Sequence, residues 1–236
     1  MERELRFNIC SLESSYLPNS AVSDLEKRVK GAISPELSYS CRLWGTHLKA
    51  TAFESSLAEE VQRFFDEERL LFWLEALALM KVLGGSTGTL SSVADWLTYT
   101  DINDAVKDTR RFVRTFAPTI IHSTPHLYLS ALPFTPTHSR IRRFAEKFPR
   151  VPQVVAGHAK QWPLVEKILR TNATPYAITI SQDGRHIVCG SLEGMIVVWD
   201  METGEPLGAP LRGHTNCVRS VAISSSGTRI ISGSDD

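Results

Sequence analysis

Residues 84–88 have the types and spacing of a serine nucleophile. Gly84-Gly85-Ser86-Thr87-Gly88 fits the pattern G-x-S-x-G, in which a sharp turn lifts a reactive serine hydroxyl between a strand and a helix. The residues ahead of this motif have helical periodicity, so the strand that the turn requires is not predicted. The sequence therefore favours a glycine-rich helix end and loop. A serine hydrolase using Ser86 is kept only as a remote alternative function.

Two histidines have the spacing of a helical metal site. His122 and His126 lie four residues apart, as do the histidine ligands of many zinc enzymes. No glutamate follows the first histidine, and Pro125 lies between the pair. Because two ligands alone do not complete a zinc coordination sphere, the sequence predicts no metal site.

Phosphate binding is not predicted either. The pattern G-x-x-x-x-G-K-[ST], whose backbone amides and lysine hold phosphates, does not occur in the sequence. Arginines cluster at 110–114 and at 140–150, but Asp108 and Glu146 lie beside them, which favours solvated helix faces over phosphate sites. With no convincing catalytic residue, metal or cofactor, the sequence predicts a protein that is not an enzyme and has no small-molecule substrate.

The overall composition argues against several kinds of partner and compartment. The 236 residues include 26 Lys and Arg and 26 Asp and Glu, so the formal net charge is zero. Nucleic-acid and membrane-surface proteins depend on a surplus of cations, so neither partner is expected. No leader or membrane-spanning run is predicted. The four cysteines are too dispersed for a disulfide framework, which favours a reduced, cytoplasmic location.

The elements that would position these residues are helical up to about residue 150. Ser34-Pro35-Glu36 predicts a helix start, and Leu37, Cys41, Trp44 and Leu48 then recur on one helical stripe.

Two further helices are predicted downstream. A nearly all-apolar helix runs over residues 70–83, with Lys81 in its last turn and Gly84-Gly85 as its stop. Another helix has an apolar stripe between Ala105 and Phe116 and is interrupted or bent at Pro118.

Beyond Pro152 the pattern changes to short strands, the first of them at Val154-Val155. The run Ile178–Ser191 aligns without a gap with Val221–Ser234, at an offset of 43 residues. A period of this length indicates stacked or radially arranged units, and short strands with regular turns suit a β-propeller.

These repeats resemble the blades of WD-repeat β-propellers. The resemblance lies in Gly213-His214, in Trp199-Asp200 and in the turns at Gly190-Ser191 and Gly233-Ser234. In that family a histidine, a hydroxyl, a tryptophan and an aspartate of one blade are linked by hydrogen bonds. The resemblance implies structural roles for His214, for Ser232 or Ser234, for Asp236 and, in the first blade, for Trp199 and Asp200.

The first copy of the repeat departs from the family pattern. Thr171-Asn172 stand where Gly-His is expected, one residue short, and Glu193 replaces the turn aspartate. The second copy stops before its Trp strand. The fold class implied is α+β with two domains, an all-α region at 1–150 and an incomplete antiparallel WD-repeat propeller of about one to two blades at 151–236.

The order of the two parts resembles fungal NACHT/WD-repeat proteins of the NOD-like receptor (STAND) type, through residues 70–75 and 126–134. This resemblance implies that residues 1–150 are a helical linker beyond a winged helix, in a signalling receptor whose NTPase module is missing here. The implied function is non-catalytic protein–protein interaction or scaffolding. The implied partners are other proteins, or the NTPase and propeller parts of a larger receptor.

The same resemblance points to contact residues, because the family binds proteins through exposed loops and one propeller face. The candidates are Asp183, Arg185, Arg219 and Arg229. A truncated remnant without independent function is the main alternative, since an unpaired blade leaves exposed strand edges.

Overall fold

The computed structural model of the chain describes residues 4–97, 102–163, 168–201 and 204–236. The chain divides into two units, Met1–Glu166 and Lys167–Asp236. The domain boundary that the sequence places after residue 150 stays a prediction.

Helices make up the regular structure of the first unit. In its described residues the α-helices are α1 (Leu25–Ala32), α2 (Pro35–Ala50), α3 (Ser55–Asp66), α4 (Arg69–Leu79), α5 (Ser86–Trp96) and α6 (Ile102–His122). Short 3-10 helices lie at Asn19–Ala21, Leu83–Gly85 and Ile141–Lys147, with a π-helical turn at Leu127–Ala131. The predicted helical N-terminal part is confirmed. None of the helices in the described ranges combines the length and apolarity needed to cross a membrane.

Helix α2 begins as its sequence predicts. The Ser34 hydroxyl accepts a hydrogen bond from the Leu37 amide at 3.1 Å, and Pro35 occupies the first helical position. Of the predicted stripe, Leu37, Cys41 and Leu48 are buried. The start signal and the helical period therefore agree with the observed helix.

Helix α4 lies in the core and ends earlier than predicted. Nearly all of its side chains are buried, as its apolar sequence indicates. Its last residue is Leu79, because Lys81 adopts a left-handed conformation with φ 61°. The Val82 amide then donates to the Leu77 carbonyl at 2.9 Å, a bond of the Schellman type. Gly84-Gly85 therefore do not stop this helix.

Helix α6 continues through the proline that was expected to interrupt it. Pro118 lies inside the helix, which ends at His122. Ile120, beyond the proline, is buried on the same element as Phe112. We attribute the continuation to this burial, which offsets the backbone hydrogen bond that proline cannot make.

Residues 151–163 form no strand, so the two-valine strand predicted there is wrong. Val155 is 96% exposed. Trp162 Nε1 donates to Asp108 Oδ1 at 2.6 Å, and the Trp162 ring meets the Phe116 ring edge to face, with centroids 6.2 Å apart. These contacts hold the segment on α6 instead of pairing it in a sheet.

The second unit contains two antiparallel sheets in its described residues. Its strands are β1 (Pro175–Ile180), β2 (His186–Ser191), β3 (Met195–Asp200), β4 (Leu211–Arg212), β5 (Val218–Ile223) and β6 (Ile230–Ser234). The first sheet has the order β1-β2-β3-β4, and the second pairs β5 with β6. The predicted antiparallel sheets in the C-terminal part are confirmed.

The 43-residue repeat recurs in the backbone geometry. The register of β1 with β2 shifts near the start of the hairpin, and β5 with β6 shifts at the equivalent place. The turns that join these strands place Gly184 at φ 67° and Gly227 at φ 70°, a left-handed conformation that favours glycine. The two hairpins are therefore copies of one structural unit.

The two sheets pack against each other through a small apolar core. Val188, Ile196 and Val218 are buried between them. Gly190 is a point of close approach, because a Cβ atom there would lie 2.6 Å from Val218 Cγ1. Any larger residue would push the sheets apart.

Candidate functional site

A cluster of polar side chains fastens the segment ahead of β5 to the end of β6. His214 Nε2 lies 2.9 Å from Ser232 Oγ, and Nδ1 lies 3.0 Å from Asp236 Oδ1. The Thr215 amide donates to Asp236 Oδ2 at 2.6 Å, which is the chief reason that the pKa of the Asp236 carboxyl lies below its ordinary value. The Ser234 hydroxyl instead donates to the Asn216 carbonyl at 3.1 Å. Ser232 is therefore the hydroxyl that meets the imidazole.

The equivalent positions of the first sheet hold different residues. With the 43-residue offset, Thr171, Cys189 and Glu193 take the places of the histidine, the hydroxyl and the aspartate. Both Glu193 carboxylate oxygens accept from the Thr174 amide at 3.1 Å, which lowers the pKa of Glu193. The first sheet therefore keeps a backbone hydrogen bond to the carboxylate at this position, although it has no histidine equivalent to His214.

Sequence reasoning missed two of these features. It noted that Glu193 replaces an aspartate but assigned it no bond, and it did not place Cys189 at the hydroxyl position. Applying the 43-residue offset to Ser232 and Asp236 reveals both.

Trp199 and Asp200 lie at the end of β3, where the sequence places them. Trp199 is buried and pairs across the sheet with Ile187. The Asp200 amide donates to the Glu205 carbonyl at 3.0 Å. Both residues therefore lie where β3 ends and its following turn begins.

Three of the predicted contact residues lie in hairpin turns. Asp183 and Arg185 are in the β1–β2 turn, and Arg229 is in the β5–β6 turn. The Asp183 carboxylate accepts from the Ser181 hydroxyl and from the Arg185 amide, and the hydroxyl bond is the main cause of its lowered pKa. Asp183 therefore shapes its own turn, while the Arg185 and Arg229 side chains are exposed.

Arg219 lies at the opposite end of the β5–β6 hairpin from Arg229. Its Nε lies 2.7 Å from Asp235 Oδ2, and its guanidinium stacks over the Tyr176 ring at 4.8 Å from the ring centroid. Arg219 thus links β5 to β1, and the four predicted contact residues do not gather at one place.

The second sheet exposes an apolar side chain at a position that the first sheet buries. Ile231 in β6 is 74% exposed, whereas Val188, its equivalent in β2, is fully buried between the sheets. Gly233 has no atom within 4 Å of a Cβ added to it, although its equivalent Gly190 is in close contact with Val218. We call the side of the second sheet formed by Ser220, Ala222, Ile231 and Gly233 the β6 face.

A second exposed surface lies on the first sheet, along β1. Ile178 is 69% exposed and Ile180 is also exposed, while their equivalents Val221 and Ile223 pack into the core between the sheets. Across the strands this side continues through Val197 and Trp199, which line a cleft of 600 Å³. We call this side the β1 face. Its exposed residues are Ile178 and Ile180, its half-buried residues are Ile187 and Val197, and Cys189 and Trp199 on the same side are buried.

The catalytic motif of the first unit has the wrong geometry for a nucleophile. Ser86 is 1% exposed at the start of α5, and its hydroxyl donates to the Leu83 carbonyl at 2.6 Å. A 3-10 turn rather than a strand precedes it. This contradicts the hydrolase alternative, because a nucleophile elbow presents an exposed hydroxyl between a strand and a helix.

The two histidines at metal-like spacing have no further ligands. His126 Nδ1 lies 2.6 Å from Ser130 Oγ. Within the described residues, three or more His, Cys, Asp or Glu side chains do not come together in a way that would hold a metal ion.

A buried carboxylate stabilises the N-terminal segment of the first unit. Glu75 in α4 accepts hydrogen bonds from the Ile9 amide at 2.8 Å, the Asn8 amide at 3.1 Å and the Tyr128 hydroxyl at 2.6 Å. Burial raises the pKa of Glu75 to about 7, against the lowering effect of these bonds. Glu75 also borders a cleft of 490 Å³. Because three donors already engage its oxygens, Glu75 serves as a structural tie.

The hairpin repeat of the second unit matches a known family of repeats. Residues 166–200 and 204–236 match the family model described as WD domain, G-beta repeat. The C-terminal part of the chain is therefore composed of WD repeats, as the resemblance predicted.

Two curated proteins are similar to parts of this chain. The vegetative incompatibility protein HET-E-1 of Podospora anserina is 28% identical over an alignment of 179 residues, which covers 70% of this chain and 13% of that protein. Autophagy-related protein 16 of Arabidopsis thaliana is 37% identical over 60 residues, which is 25% of this chain and 12% of that protein. The chain thus spans only about an eighth of the length of either relative.

Proposed function

We propose that this chain is a non-catalytic module that binds other proteins through its WD-repeat unit. The observation that carries the proposal is the β6 face, where Ile231 is exposed at a position whose equivalent is buried in the first sheet. A side of a sheet that is exposed here and buried in the equivalent sheet is a candidate docking surface for another protein. The zero net charge argues against nucleic acid or a membrane surface as the partner.

The proposal extends to the setting of the module. The similarity to the vegetative incompatibility protein, which covers 70% of this chain, supports a place in a signalling receptor of the NACHT/WD-repeat type. In such a setting the partners are other proteins, or NTPase and propeller parts of a larger receptor. Four buried cysteines without disulfides support a cytoplasmic location.

A binding comparison tests the proposal. The full chain, Ile231→Asp and Val155→Asp are immobilised and exposed to extract of the source cells, and each retained protein is purified and titrated against all three. Val155 is a matched control, because it is an exposed β-branched residue of the first unit.

We expect a purified partner to bind the wild-type chain and Val155→Asp equally, and Ile231→Asp at least about tenfold more weakly, which corresponds to 1.4 kcal/mol. The proposal is wrong if every retained protein binds all three chains alike, or if none is retained.

A further inference from the structure

The chain contains one example of how its sheets fit together. In that internal contact, Val221 and Ile223 of the second sheet lie against Val188 and Gly190 of the first. Gly190 allows the approach, since a Cβ atom there would lie 3.1 Å from Val221 Cγ1. The contact is heterologous, because each sheet contributes a different side.

Because the hairpin is repeated, each of the two sides that form this contact also occurs a second time in the chain, where it is exposed. Ile231 and Gly233 of the β6 face are equivalent to Val188 and Gly190, which receive the second sheet. Ile178 and Ile180 of the β1 face are equivalent to Val221 and Ile223, which dock onto the first sheet. The β6 face therefore repeats the receiving side, and the β1 face repeats the docking side.

We infer that the β6 face binds the β1 face of a second copy of this chain, head to tail. The inference rests on the proposed function and names its partner. A second copy carries the side that fits, because the same kind of contact already joins the two sheets within one chain. The residues that define the two faces are uncharged, and Arg170, Glu205 and Arg212 lie beside the β1 face, in the cleft that Val197 and Trp199 line.

The geometry of such a contact determines the assembly. A heterologous contact leaves one free face at each end, so it either closes into a ring or continues as an open chain.

Complementation between two variants tests the inference. Ile231→Asp removes the β6 face and leaves the β1 face intact, and Ile178→Asp does the reverse. Each full-length variant, their equimolar mixture and the wild-type chain are measured by size-exclusion chromatography with light scattering over a range of concentrations. Val155→Asp is the control, and far-UV circular dichroism verifies that all variants are folded.

The expected wild-type mass rises with concentration above the 26.3 kDa of one chain, and Val155→Asp behaves alike. Each Asp variant alone stays at one chain. Their mixture doubles in mass, because one intact contact is restored. Two identical sides meeting each other would instead let one of the two variants associate with itself and give no further rise in mass on mixing, and that result overturns the inference.

A second variant covers the case in which aspartate disturbs the sheet. Gly233→Ala adds a methyl group to the β6 face where the chain itself has no atom within 4 Å. We expect it to weaken self-association while amide hydrogen exchange of the single chain stays unchanged. A wild-type chain that remains monomeric at every concentration overturns the inference. If that chain still binds a different protein through Ile231, the proposed function stands.

Discussion

At the scale of single residues, Glu75 shows how burial and hydrogen bonding act against each other. Burial disfavours the charged carboxylate, while the amides of Asn8 and Ile9 and the hydroxyl of Tyr128 favour it. Burial prevails and raises the pKa to about 7. The pKa of Tyr128 is raised well above its ordinary value, so its hydroxyl stays a donor.

This pKa predicts an unusual dependence of stability on pH. In an unfolded chain a glutamate has a pKa of about 4.3, so the folded state binds the Glu75 proton more tightly. The stability that Glu75 contributes through this proton is therefore fully present below about pH 4.3. It is lost as the pH rises through about 7. We expect the difference in unfolding free energy between the wild-type chain and Glu75→Gln to change by roughly 3 kcal/mol across this window.

Urea unfolding at a series of pH values, followed by the far-UV signal of the helices, measures this difference. Glu54→Gln serves as the control, since Glu54 is exposed at the start of α3. A Glu75→Gln curve parallel to that of the wild-type chain would show that Glu75 does not titrate in this range.

At the scale of elements, the fit between the two sheets depends on one small residue. Gly190 faces Val218 at a distance that leaves no room for a methyl group, whereas Gly233 at the equivalent position of β6 has open space. The two glycines thus occupy the same place in the repeat but differ in what lies above them.

The pair predicts opposite effects of one substitution. Gly190→Ala should destabilise the second unit by about 1–3 kcal/mol, because overpacking forces the sheets apart. Gly233→Ala should leave the stability of the single chain unchanged. Hydrogen exchange of peptides from β2 and β5, at low protein concentration, measures both. Equal protection in the two variants would mean that the sheets do not pack as described.

Sequence patterns predicted the elements better than their ends. The start of α2 was predictable, because Ser34 and Pro35 act through local bonds and a fixed backbone angle. The end of α4 was not, because Lys81 adopts a left-handed conformation that favours glycine. The continuation of α6 through Pro118 depends on tertiary burial, which local patterns do not contain.

The candidate site was predictable only where the repeat is regular. His214 and Asp236 follow from the family pattern, while the choice between Ser232 and Ser234 needed the distances to the imidazole. The β6 face was missed because residues with similar side chains occupy buried and exposed copies of one position. Exposure depends on the neighbouring sheet, which the sequence of one hairpin does not specify.

At the scale of the whole molecule, the chain combines a helical unit with WD repeats whose sheets expose apolar sides. The helical unit buries Ser86, whose hydroxyl makes a backbone hydrogen bond within it. The WD-repeat unit repeats, on its surface, both sides of the contact that joins its own sheets. The role proposed for this unit is the binding of another protein at the β6 face.

The most direct test places a photo-crosslinking amino acid at position 231 of the full chain in cells that make it. A second chain carries the same group at position 155, which is more exposed than position 231. We predict a protein adduct of discrete mass at position 231 and none at position 155. Twice the mass of the chain would identify a second copy, and another mass would identify a different protein. The absence of an adduct at position 231, or equal yields at both positions, would contradict a docking role for the β6 face.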